Sequence, residues 1–130
     1  MIVKHFQEVK AEKPPVLQFK GKPVKAKGTV IRWLVSEKTV GEDYPYNFAL
    51  RHFTMKPGGV IPMHEHPYEE AVFLLKGRLN ISTGTMKASL KRGQYAYLAP
   101  NEPHEVSNPG PGEAVFLCCI GYRYAAGGKA

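Results

Sequence analysis

Apolar and polar residues alternate along this chain in short stretches, and the three-to-four-residue spacing of an amphipathic helix is almost absent. Runs rich in Val, Ile, Phe, Tyr and Leu are cut by Pro, Gly and Asn. This pattern predicts strands near Thr29–Val35, Phe48–Met55, Ala71–Ile81, Lys87–Leu90, Tyr95–Leu98, His104–Val106 and Ala114–Tyr122. Turns are expected at Lys56-Pro57-Gly58-Gly59, Ser82-Thr83-Gly84-Thr85, Lys91-Arg92-Gly93 and Asn108-Pro109-Gly110-Pro111-Gly112. So many short strands in about 100 residues imply an all-β sandwich or barrel. Residues 29–124 would form its body, residues 1–28 an arm or edge strand, and Ala125–Ala130 a frayed end.

Composition narrows the picture. At 130 residues, 43% hydrophobic and 22% charged, the chain can fill one core without staples and is not a disordered segment. No apolar run approaches the ~20 residues of a membrane-spanning helix, so no membrane partner is expected. Met-Ile-Val-Lys-His-Phe-Gln-Glu at the start lacks the apolar stretch of a signal peptide. Cys118 and Cys119 are adjacent and cannot bridge distant segments, so a cytoplasmic protein is expected. The net charge is +7, but residues 1–27 carry seven Lys against two Glu, leaving the rest nearly balanced. Those lysines lack the interleaved aromatics that stack on bases, so nucleic acid is not an expected partner.

Candidate chemistry gathers at His64, His66, Glu70 and His104. Residues two apart on an extended segment face the same way, so His64 and His66 can present their imidazoles together. Glu70 lies four residues beyond His66, although Pro67 between them marks a bend. His104 arrives from a later strand, after the Pro100-Asn101-Glu102-Pro103 turn. Three neutral imidazoles and a carboxylate suit one divalent first-row metal, leaving two positions of an octahedral shell open. A closed structural zinc site would favour cysteines. The plainer alternative for a bare His-x-His pair is two solvated loop histidines.

The spacing goes further than that pair. Gly58-x5-His64-x-His66-x3-Glu70-x6-Gly77 satisfies the first cupin motif at every position. Gly93, His104 and Asn108 nearly meet the second, with Ala99 where Pro is usual and Asn101 where Gly is usual. Asn tolerates a positive φ, so that turn can survive. Over residues 45–122 the chain resembles the small single-domain metal-binding cupins, as in Leu50-Arg51-His52-Phe53-Thr54-Met55-Lys56-Pro57-Gly58-Gly59 and His66-Pro67-Tyr68-Glu69-Glu70. Many of those relatives carry Pro-Trp-Glu-His after the His pair; Tyr68 and Glu70 here return to the three-His, one-Glu set.

The resemblance implies a double-stranded β-helix, the jelly-roll or cupin barrel. It implies one divalent metal held by His64, His66, Glu70 and His104, without choosing among Mn, Fe, Ni, Co, Cu and Zn. The expected function is a metal-dependent enzyme of the dioxygenase, isomerase or lyase class, acting on a small oxygen-rich substrate with Glu70 as catalytic base. A non-catalytic sensor or storage module is the alternative. A homodimer is expected, with residues near Thr29–Val35 contributing. Glu69 would point away from the metal, as a second-choice ligand or a partner to a ligating imidazole. Tyr95 and Tyr97 alternate so as to face the core, His52 reads as a structural histidine, Cys118 or Cys119 as a buried small hydrophobe, and Trp33 as a core or dimer contact.

Overall fold

The computed structural model describes residues 1–123; the expected frayed end at Ala125–Ala130 lies outside them. A 3-10 turn at Phe6–Glu8 is followed by β1 (Leu17–Phe19), β2 (Lys22–Val24) and β3 (Lys27–Val35). A four-residue helix, α1 (Glu37–Val40), leads to β4 (Phe48–His64). Then come β5 (Glu69–Lys76), β6 (Arg78–Ser82), β7 (Lys87–Lys91), β8 (Tyr95–Leu98), β9 (His104–Ser107) and β10 (Ala114–Gly121). The strands run β7-β6-β9-β4-β10-β5-β8, with β3 also on β4, in antiparallel pairs. This is the nearly closed jelly-roll barrel the sequence implied, and no helix of the described residues is long and apolar enough to cross a membrane.

Strand β4 belongs to both layers. Its first half pairs with β10 as far as Met55↔Ala114, and its second half pairs with β9 from Val60↔Ser107 to His64↔His104. Lys56-Pro57-Gly58-Gly59 lies between, so the expected turn is a corner within one continuous strand. There the β3 register jumps from Lys27↔Val60 to Thr29↔Met55. The corner works because two backbones nearly touch: a Cβ on Gly59 would sit 2.9 Å from the Gly28 carbonyl oxygen. Asn108 pins it from the far side. The Asn108 amide donates to the Gly59 carbonyl at 3.0 Å, and the buried Nδ2 donates to Met55 and Gly112 carbonyls, each at 2.9 Å. The expected Ala71–Ile81 strand is in fact two, broken at Gly77, whose φ of 80° no other residue adopts easily.

Alternation fills the interior. Ala114, Phe116, Cys118 and Ile120 of β10 are buried, while Cys119 is exposed, so the paired cysteines do face opposite ways. Phe116 stacks on Phe53 at 5.1 Å, and Ile31, Met55, Leu74 and Leu79 close the core around them. Burying each such side chain stabilises the fold by about 1.5–3 kcal/mol. Trp33 packs against this cluster. A further expectation is overturned: Tyr95 and Tyr97 are 71% and 59% exposed and face outward. Ala96 and Leu98 point inward instead, because β8 pairs with β5 in the register that sets Leu98 opposite buried Glu70.

Candidate metal centre

The end of the barrel beyond Ile61 is polar, and each polar group there is set by its strand. His64 closes β4 and lies directly opposite His104, the first residue of β9. His66 follows after one residue, and its carbonyl accepts the Asn101 amide at 2.9 Å. That bond ties the turn before His104 to the segment carrying the other two histidines. Asn101 has the positive φ, 63°, that its place in the second motif requires.

The three imidazoles share one orientation. Nδ1 of His64 meets the Pro62 carbonyl at 2.7 Å, Nδ1 of His66 the Tyr68 carbonyl at 3.1 Å, and Nδ1 of His104 the Glu102 carbonyl at 2.8 Å. A carbonyl only accepts, so each Nδ1 is the protonated nitrogen and each Nε2 is free to act as a donor pair. The three ligand atoms lie within 4.8 Å of one another. His104 Nε2 is buried and, apart from the Glu70 carboxylate, meets no hydrogen-bonding group among the described residues, a costly state for a polar atom unless something else uses it. Tyr68 stacks on His66 at 5.0 Å and keeps that ring in place.

Glu70 comes in from β5 on the same side. Its Oε2 lies 3.2 Å from His104 Nε2 and 3.8 Å from His66 Nε2. Its Oε1 takes a hydrogen bond from Arg51 Nη2 at 2.6 Å, an ion pair buried at both ends. Ligand atoms at about 2.1 Å from a common ion are about 3.0–3.4 Å apart at neighbouring corners. The His104–Glu70 separation is in that range, while the 3.8 Å of His66–Glu70 and the imidazole nitrogens, within 4.8 Å of one another, would draw in around a first-row divalent ion.

Electrostatics agree with the geometry. Burial, reinforced by His104, pushes His64 down to about 4, so it is a neutral ligand across the physiological range. Burial would also lower His104, but the Glu70 carboxylate outweighs it and raises it. For Glu70 burial acts upward, yet His104, His66 and the Arg51 guanidinium hold the carboxyl well below its usual range. His64 therefore offers a neutral nitrogen and Glu70 an anionic oxygen, forms a metal needs, while the same carboxylate favours the protonated form of His104, whose proton an arriving ion would have to displace.

The four groups open onto a cavity of about 40 Å³, whose remaining wall is mostly apolar. Arg51 lines it too and was missed in the sequence, where His52 drew attention instead. The parity of β4 was the available signal: Arg51 shares a face with Phe53 and Met55, all buried. His52 lies on the opposite face, stacked under Phe6 at 4.4 Å, outside the cavity. Glu69 points outward, where its Oε1 accepts the Tyr97 hydroxyl at 3.0 Å.

Comparison with known proteins gives a consistent answer. A 33% identical stretch of 58 residues, 44% of this chain, is shared with the uncharacterized protein MJ1618 of Methanocaldococcus jannaschii. It amounts to 46% of that protein, so the match spans about half the relative's length. The polyketide cyclase RemF from Streptomyces resistomycificus superposes with a TM-score of 0.76 at 23% identity, over 93% of this chain and 79% of its own. A predicted oxalate decarboxylase from Thermotoga maritima gives 0.73 at 20%, over 92% and 98%. At such identities the likeness concerns the fold alone. Residues 51–120, more than half the chain and including all four candidate ligands, match the cupin domain family Cupin_2, and the chain belongs to that family.

Proposed function

We propose that this protein is a metal-dependent enzyme that acts on a small substrate bearing oxygen donors, with His64, His66, His104 and Glu70 holding one divalent ion. The observation that carries this reading is the orientation of the three histidines, each Nδ1 bonded to a backbone carbonyl and each Nε2 left for the ion. A bound ion would supply Lewis acidity toward a carbonyl or carboxylate oxygen and, if redox-active, access to dioxygen. The chain's own residues then have distinct tasks. The imidazoles are fixed by their backbone carbonyls, the apolar wall excludes water, and Arg51 holds Oε1 of Glu70 so that Oε2 faces the histidines. Glu70 Oε2 serves as the proton acceptor of the site when it is off the ion. A carboxylate held this low takes a proton only from a donor itself made acidic, and the Arg51 pair at Oε1 limits how far it can swing.

The test begins with metal content. Protein purified without chelator should carry close to one equivalent of a transition metal, and His64→Ala with His104→Ala should abolish it; full metal content in that double variant removes the assignment. Oxygen-consumption and turnover screens with small oxo acids and diketones, alongside catechols and sugars, then address catalysis. The small cavity favours a second reading, a module that holds an ion or small ligand without turnover. It predicts stoichiometric metal and no activity on any of these substrates.

A further inference from the structure

Outside the family match, the segment before β1 crosses the mouth of the candidate metal centre. It is tied down on both sides. Glu12 pairs with Ile31 through two backbone hydrogen bonds of 2.9 Å, and Lys38 holds the Glu12 carboxylate at 3.0 Å. Beyond the crossing, the Glu65 amide donates to the Gln18 carbonyl at 3.0 Å. Glu65 is the residue between His64 and His66, so this end is fastened to the candidate ligand segment itself. Pro14 and Pro15 lie between the two ties. Neither has an N–H, so the backbone passes the apolar cavity without two donors that would otherwise need partners there. Pro14, Pro15 and Leu17 line the same cavity as the three histidines and Glu70, facing Ile61, Val72 and Val106 across it.

We infer that this strap is the specificity wall of the site, and that Pro14, Pro15 and Leu17 limit it to compact ligands with no hydroxyl-rich body. The inference rests on the metal reading above. A cavity of about 40 Å³ has to take the ion as well as its ligand, which leaves room for a few atoms only. Beyond the ligand set and Arg51, its lining is almost entirely hydrocarbon, with Cys118 the exception. A polyhydroxylated ligand would therefore leave its hydroxyls unpaired on that wall. Larger ligands fit only when the strap is cut back or lifted.

The experiment uses the full chain loaded with Co(II), whose visible spectrum reports ligands reaching the ion without any turnover. Azide serves as the compact probe and benzohydroxamate as the bulky bidentate one. Wild type should bind azide and bind benzohydroxamate at least 10-fold more weakly. Leu17→Ala, and separately Pro14→Ala with Pro15→Ala, should raise the benzohydroxamate-to-azide affinity ratio at least 10-fold. Leu17→Val, a smaller truncation, should move the ratio the same way and serves if Leu17→Ala does not fold. If cobalt loads and the ratio is the same in wild type and variants, or wild type takes benzohydroxamate as readily as azide, the strap is not a specificity wall and the metal reading stands. If cobalt does not load, the metal reading fails and this inference falls with it.

Discussion

Arg51 Nη2 stands 2.6 Å from Glu70 Oε1, and both side chains are almost wholly removed from solvent. The guanidinium also lies over the Trp33 and Phe53 rings, at 5.5 and 5.1 Å, so it is held by packing as well as by charge. A buried pair of this kind adds little net stability when compared with a hydrocarbon replacement, but breaking it strands a charge. Arg51→Met should therefore destabilise the metal-free protein by about 3–5 kcal/mol. Arg51→Met with Glu70→Leu should recover much of that loss. Urea denaturation of the four proteins in the cycle measures the coupling; additive losses would show that the pair is not an energetic unit.

Asn108 makes a second test, this time of the corner that joins the layers. Its side chain makes three hydrogen bonds: Nδ2 donates to the Met55 and Gly112 carbonyls, and Oδ1 accepts the Gly110 amide at 2.8 Å. Asn108→Ala leaves the buried Met55 carbonyl without its partner, at about 1–3 kcal/mol for each orphaned group. A loss of about 2–4 kcal/mol in chemical denaturation is expected. Asn108→Asp should cost as much or more, since it removes the donor and buries a charge. A loss below about 0.5 kcal/mol would mean that the backbone holds the corner unaided.

Both tests bear on what the sequence disclosed. The candidate ligand set was legible because a metal demands particular donors at particular spacings, and such a motif surrounds His64, His66, Glu70 and His104, whose side chains the fold brings together. The strands were legible because the core demands alternation. Arg51 was passed over although the parity of β4 puts it on the buried face, because the sequence shows no sign of the partner that holds its charge, 19 residues away. The corner was mistaken for a turn because Pro57 and Gly58 mark a change of direction without saying whether pairing continues through it. Tyr95 and Tyr97 misled for a different reason. Both alternations are compatible with an aromatic strand, and only the pairing of β8 with β5 settles which face is inside.

That outward face carries its own consequence. Phe73, Leu75, Tyr95 and Tyr97 are 42%, 39%, 71% and 59% exposed on neighbouring strands. With side chains of about 200 Å² each, they present about 400 Å² of largely apolar surface, half of what each partner contributes to a standard interface. Around Thr29–Val35, by contrast, the Arg32 side chain is held to the Val9 carbonyl, and Ile31 already pairs with Glu12. We expect a twofold dimer of this chain through β5 and β8. Light scattering at micromolar concentration should give twice the chain mass, and Phe73→Glu should halve it; a wild-type monomer contradicts the expectation.

The last prediction separates enzyme from binding module at Glu70. Glu70→Gln keeps the shape of the side chain and lets its amide oxygen still accept from Arg51, but it removes the negative charge and the proton-accepting oxygen. It also leaves the Arg51 charge uncompensated, so a stability loss is expected, and melting curves must first show the variant folded at the assay temperature. In an enzyme that uses Oε2 as an acceptor, turnover should then fall by at least the ~10² typical of a lost general base. Metal content should fall less steeply, because three imidazoles remain. Arg51→Met added to Glu70→Gln should restore stability without restoring turnover, which distinguishes lost chemistry from lost folding. In a binding module the same change alters only metal or ligand affinity. Glu70→Gln with undiminished turnover would take Glu70 out of the mechanism and leave the three histidines as the whole of the chemical site.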